Sequence, residues 1–181
     1  MAEMVRTHMT AEAFLQLPET NLPTELISGE FIEMNAPNDL HQKTSMYLIS
    51  VLLPLLPVGE FRSAPTDVLL DDLNVFQPDL FWVSVENTHC KVIDGKWYGA
   101  PDLVIEIFSP STERRDKKTK FDTYERHGVR EYWMVDPQAE YIEVWLQHEG
   151  KFDRFGIFGP DEKFVSSVLN NQTVDVAAVF K

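Results

Sequence analysis

The sequence predicts an α/β protein of the α+β kind, a mixed β-sheet flanked by helices with additional β-hairpins, and three observations carry that reading. The order strand, strand, helix, strand runs from residue 79 to 135, which argues for a mixed sheet with helices packed on it. Leu103 to Phe108 (LVIEIF) is a near-continuous apolar run, as suits a strand covered on both faces. Leu40, Tyr47, Leu48, Val51, Leu52 and Leu55 recur at helical spacing.

In chain order, Thr10 is placed to cap a short helix from Ala11 to Leu17, ended by Pro18. Glu25 to Asn35 alternates about Ser28-Gly29 like a tight hairpin. Asn38 or Asp39 caps the Leu40 helix, which Pro54 and Pro57 end. Phe61 to Leu70 and Leu80 to Val85 read as strands separated by an acidic turn, and Asp94-Gly95 centres a hairpin over Cys90 to Tyr98. Glu113 to His127 is helical in pattern, with Gly128 as its stop, and Tyr132 to Val135 returns to strand. Tyr141 to Leu146 pairs through turns at Asp136-Pro137 and Glu149-Gly150, and Val174 to Val179 closes the chain with short apolar structure. One domain over 1–181 is expected, with an N-terminal helix and hairpin (1–36), a core (37–136) and a C-terminal β extension (137–181).

At 181 residues, 44% hydrophobic and 25% charged, the chain is long and apolar enough to bury a core. Its longest apolar stretch, Met46 to Val58, is interrupted by Pro54 and Pro57 and falls short of the roughly 20 residues that cross a bilayer, so no membrane association is expected. The N-terminus has no apolar signal core, and a single cysteine, Cys90, excludes an internal disulfide; both favour a cytoplasmic location. The net charge of -13 opposes a surface built for phosphate. Against it, Arg114, Arg115, Lys117, Lys118 and Lys120 gather basic charge in one short stretch.

The chemistry concentrates in Gln77-Pro78-Asp79-Leu80, in Pro101-Asp102 leading into Glu106, and in Asp116, Lys120 and Tyr124. Asp102 and Glu106 point to one face of a strand but stand about 13 Å apart at strand rise, too far to share a metal. Glu106 lies mid-strand in an apolar run, where an unpaired carboxylate is costly to bury, so it needs a metal, a lysine or water. Asp79, after a proline that suits a strand's first residue, is its better partner, and an acid on each of two neighbouring strands is a sensible minimal magnesium site. Asp116, Lys120 and Tyr124 are spaced by four on one helix face. A lysine there can orient and help deprotonate a water, while magnesium stabilises charge on a phosphate. An ordinary solvated face with an i,i+4 ion pair explains the same spacing.

QPDL, GAPDLVIEIFSPST and RRDKKTKFDTYERHGVREYWMVDP, in that order and spacing, resemble the central signature of the Uma-two-type restriction-endonuclease group of the PD-(D/E)XK nuclease superfamily. The resemblance extends more weakly to Glu25–Glu30 and His41 and to Ser166–Phe180. It implies a restriction-endonuclease-like core and a metal-dependent endonuclease acting on DNA, with Mg2+ as cofactor and Mn2+ as substitute. It further implies Asp79 and Glu106 as metal-binding acids, with the main-chain carbonyl of Ile107 as a further ligand. The lysine of the superfamily pattern would stand where this chain has Phe108, so its role passes to Lys120 if it is filled. Glu25 and His41 match further polar positions, which ligate, accept a proton or support the site; beside this, His41 also reads as a structural, hydrogen-bonded histidine.

The remaining residues read as structural. Ser109 and Ser111 lie in no nucleophile elbow and shape a turn, the histidines show no zinc-ligand spacing, and nothing near Cys90 supplies a base. Trp82, Trp97, Trp133 and Trp145 read as core or interface. Besides DNA as substrate, a homodimer is expected from the class. Two alternatives stay open: a nuclease fold used only for binding or assembly, and a hydrolase of another phosphate-containing substrate.

Overall fold

The computed structural model describes residues 8–18, 21–108 and 116–181, the side chains of 116 and 117 excepted. The elements are α1 (Ala11–Leu15), β1 (Thr24–Ile27), β2 (Glu30–Glu33), α2 (Asp39–Leu52), β3 (Gly59–Ser63), β4 (Val68–Asp71), β5 (Asn74–Phe76), β6 (Leu80–Ser84), β7 (Lys91–Ile93) and β8 (Lys96–Tyr98). There follow β9 (Leu103–Ile107), a π-helical turn (Asp116–Lys120), α3 (Phe121–His127), β10 (Glu131–Asp136), β11 (Tyr141–His148), β12 (Lys151–Phe158), β13 (Lys163–Ser166), β14 (Gln172–Asp175) and a 3-10 turn (Val176–Ala178). The central sheet has the order β12-β11-β10-β9-β6-β3; β9 and β10 are parallel and the other pairs antiparallel. A second sheet runs β2-β1-β5-β4-β8-β7, and β13-β14 form a ribbon.

Alternation along the central strands divides the core in two. Leu80, Trp82, Leu103, Ile105, Ile107, Trp133 and Val135 pack with Leu48 and Leu52 of α2 and with Phe164 and Val174 of the ribbon. Phe81, Val83, Val104, Tyr132 and Met134 face the other way, onto Tyr124 of α3 and onto Ile27, Val68, Phe76 and Trp97 of the second sheet. Strand β9 is buried at every position, as its apolar run requires. Glu106 falls in the alternation on the α3 side, which brings its carboxylate to that helix.

Local signals act where expected. Thr10 Oγ1 accepts from Ala13 N, and Asn38 Oδ1 accepts from His41 N. Ser28 and Gly29 both take positive φ (52° and 78°), the paired left-handed geometry of a two-residue hairpin turn, and Gly128 at φ 81° ends α3.

The differences are informative. Phe61 to Leu70 is not one strand: β3 edges the central sheet, whereas β4 belongs to the second, and the chain changes sheets at residues 64–67. The acidic turn holds a further strand, β5, because Asp71 Oδ1 accepts from Leu73 N and Asn74 Nδ2 and folds the chain straight back. The first helix is shorter than expected, Gln16 N and Leu17 N turning back to Ala13 O and Phe14 O. Of the helix expected over Glu113–His127, the described part passes from a π-helical turn at Asp116–Lys120 into α3. Glu113, Arg114, Arg115, Ser109 and Ser111, and the side chains of Asp116 and Lys117, lie outside the described residues. Among those described, no helix is long and apolar enough to cross a membrane.

Candidate active site

Asp79 stands one residue before β6, and the register Leu80↔Ile105 carries it opposite Glu106. Its Oδ2 accepts from Ile107 N at 2.7 Å, where the sheet ladder would otherwise continue, and its Oδ1 lies 3.1 Å from His41 Nε2 at the start of α2. Asp79 therefore ties the end of the β6–β9 pair to α2, with both oxygens oriented by fixed donors. Each carboxylate oxygen retains capacity for a further ligand.

Glu106 is buried, and its Oε1 accepts from Lys120 Nζ at 2.9 Å and from the Tyr124 hydroxyl at 2.7 Å. The two donors come from the end of the π-helical turn and from α3, four residues apart, so one helix face supplies both. Burial pushes the Tyr124 hydroxyl well above its ordinary value, reinforced by the Glu106 charge, and Tyr124 stays a donor. Lys120 Nζ also lies 2.8 Å from Glu25 Oε1 on β1. That oxygen accepts in addition from Gln77 N at 2.7 Å, while Glu25 Oε2 is buried without a hydrogen-bond partner. The ammonium lies 5.7 Å from the centroid of the Phe76 ring.

Two buried carboxylates thus share one buried ammonium. An orphaned buried carboxylate oxygen such as Glu25 Oε2 is costly. That oxygen and the carboxylate donor set fit a cation at the site. Among the described residues no trio of His, Cys, Asp and Glu forms a ready-made cage. Magnesium does not need one, since it commonly takes one or two carboxylates and keeps several waters. Asp79 and Glu106, with the Ile107 carbonyl, are the residues that would hold it.

Of the residues singled out by sequence, Glu25, Glu106, Lys120 and Tyr124 form one contact group, and Asp79, His41 and Ile107 a second beside it. Phe108, where the resemblance would place a lysine, is buried in the apolar core. Asp102 belongs to neither group: it accepts from Ser84 N and Asn87 Nδ2 and pairs with Arg130 at 3.0 Å. Cys90 is buried and its thiol is pushed up to about 12 by burial, with Asp102 adding to the effect. Trp82, Trp97 and Trp133 are core residues, and Trp145 packs partly buried against Phe121. The sequence reading missed Gln77, whose main-chain N–H fixes Glu25; only its place in the Gln-Pro-Asp triplet marks it.

The family model for Uma2, described as a putative restriction endonuclease, matches residues 11–177. Among solved structures, a putative nuclease belonging to DUF820 from Anabaena variabilis ATCC 29413 is similar with a TM-score of 0.75 at 22% identity, covering 95% of this chain and 97% of that one. That likeness concerns the fold. No curated protein matches the sequence.

Proposed function

Taking as premise that the chain belongs to the Uma2 family of putative restriction endonucleases, we propose that it is a magnesium-dependent endonuclease hydrolysing DNA phosphodiester bonds. The observation that carries this reading is the buried pair of acids, Glu25 and Glu106, sharing one lysine directly beside Asp79. When bound, magnesium would supply Lewis-acid stabilisation of charge on the phosphate and leaving oxygen. Asp79 and Glu106 would be its carboxylate ligands, and Mn2+ is the expected substitute.

The protein's own residues do the remaining work. Tyr124 and Lys120 hold the Glu106 carboxylate in one rotamer, and Gln77 N holds Glu25. Ile107 N and His41 do the same for Asp79. Such fixed dipoles need no reorganisation during reaction. Lys120 brings positive charge beside the acids, where it orients the attacking water and offsets charge on the phosphoryl oxygens. The apolar walls, Phe76 among them, exclude bulk water and strengthen each of these interactions.

The test is cleavage of supercoiled plasmid and single-stranded DNA under Mg2+ or Mn2+, with Asp79→Ala and Lys120→Ala proteins alongside. Cleavage by the wild type and loss in both variants is expected. Phe108 at the superfamily's lysine position favours a second reading, a nuclease fold that binds without turnover. Metal binding that needs Asp79, with no cleavage of any DNA, would decide for that reading or for another phosphate-containing substrate.

A further inference from the structure

In a chain of net charge -13, cations that are not committed to a carboxylate are scarce. Among the described side chains, Arg62, Lys96, Lys120, Arg126, Arg130, Lys151, Arg154 and Lys163 each lie within ion-pair distance of an acid. Lys43, Lys91, Lys118 and Lys181 have no such partner among the described residues. Two of these four, Lys43 and Lys181, line the same cleft, between α2 and the β10–β11 turn.

The position of that cleft follows from the topology. Strands β9 and β10 are parallel with Ile107↔Val135 in register, so the Asp136-Pro137 turn lies at the end of the sheet where Glu106 and Ile107 lie. Pro137 and Glu140 of that turn form one wall. The other is α2, whose Leu40, Lys43, Thr44 and Tyr47 recur at i, i+3, i+4 and i+7 as one stripe. That stripe adjoins His41, which reaches Asp79. The Lys43 ammonium is held 5.7 Å from the centroid of the Tyr47 ring, so the side chain is braced at the cleft rim.

We infer that this cleft is a backbone-phosphate subsite, in which Lys43 and Lys181 grip a phosphate of the nucleic-acid strand next to the scissile one. The inference rests on the nuclease reading of the neighbouring site. It names where an acidic protein makes its sequence-independent contact with a polyanion. Glu140, on the opposite wall, opposes the contact and limits its strength. Ammonium groups bind phosphate as point charges, so the subsite reads charge and spacing rather than bases.

The experiment is fluorescence anisotropy of a fluorescein-labelled DNA duplex, and of the same strand alone, titrated with the full chain in Ca2+ across roughly 50 to 200 mM salt. Each phosphate contact contributes about 0.9 to the slope of log affinity against log salt for duplex DNA, so losing one weakens binding by about eightfold at 0.1 M salt. Lys43→Ala should show part of that loss, and Lys43→Ala/Lys181→Ala the whole of it, with a slope smaller by about one. Glu140→Gln should tighten binding, a change that no general damage to the fold would produce. Lys91→Ala serves as the control for lost surface charge. If the Lys43 and Lys181 variants keep the Lys91→Ala affinity and slope while the wild type binds and cleaves, the subsite is wrong and the nuclease reading stands. If the wild type binds neither DNA, both fall together.

Discussion

The parallel pair β9–β10 carries buried acids at both ends, and the two ends are built on opposite terms. At the end where the strands begin, Glu131 accepts from Trp133 Nε1, from Ser167 N and Oγ and from Val168 N, and Asp102 from Ser84 N, Asn87 Nδ2 and Arg130. Several donors converge there on each acid. Where the strands finish, Glu25 and Glu106 share the Lys120 ammonium, with Gln77 N on Glu25, the Tyr124 hydroxyl on Glu106, and Glu25 Oε2 without a hydrogen-bond partner. Burial alone therefore does not distinguish the two ends. Sharing does: at one end each acid has several donors of its own, which welds the fold there, and at the other one ammonium serves two acids.

The sharpest way to break this contrast is to exchange the consequences of losing each acid. Asp79→Ala or Glu106→Gln should lower kcat/KM by at least about 10^3-fold, the ~4 kcal/mol of a lost charge-stabilising group, in a protein that still unfolds cooperatively. Glu131→Gln should do the reverse. Its circular-dichroism melt should fall by about 3 kcal/mol of stability, because buried donors lose their acceptor, while activity per folded molecule is kept. A melt unchanged by Glu131→Gln would refute the welding role.

Next in size is Lys120→Met, which leaves two buried carboxylates without their shared cation. About 3 kcal/mol or more of stability should be lost, as on breaking a buried ion pair from one side. Adding Glu25→Gln should restore part of it, and a double variant no more stable than the single one would show that the two acids do not compete for Lys120.

A smaller effect separates a surface clasp from both groups. The Phe152 N–H and Lys151, bonded to Glu125, hold its carboxyl below the usual range. The stability this contributes is present above the unfolded value of 4.5 and is lost as pH falls through the lower folded value. Urea melts from pH 7 to pH 3 should therefore show a shallower acid limb in Glu125→Gln than in the wild type. Smallest of all, Cys90 should resist iodoacetamide at pH 8 in native protein and react only on unfolding, since its thiol titrates at about 12.

How much of this was legible in the sequence depends on chain distance. Strand β9 declared itself by its apolar run, and Lys120 with Tyr124 by their spacing of four, because both signals are local. Strand rise set Asp102 apart from Glu106, and the register places Asp79 opposite Glu106. The resemblance marked Glu25 as polar and useful, but its contact with Lys120 joins residues from different sheets, and no periodicity reports that. The break between β3 and β4 falls at Ala64-Pro65-Thr66-Asp67, where the expected strand ran straight through a proline although the chain changes sheets there. Asp71, read as part of an acidic turn, folds β4 onto β5, which needs the side-chain bonds to be seen.

That Lys120 fastens an acid of one sheet to an acid of the other has a consequence for when the proposed site forms during synthesis. Residues 25, 79, 106 and 120 must all have emerged and both sheets must have docked before it exists, so a partly opened chain lacks it. Detaching the β1–β2 hairpin alone would take Glu25 off Lys120. Assembly of the site is then a late product of folding, reached only once the two sheets meet.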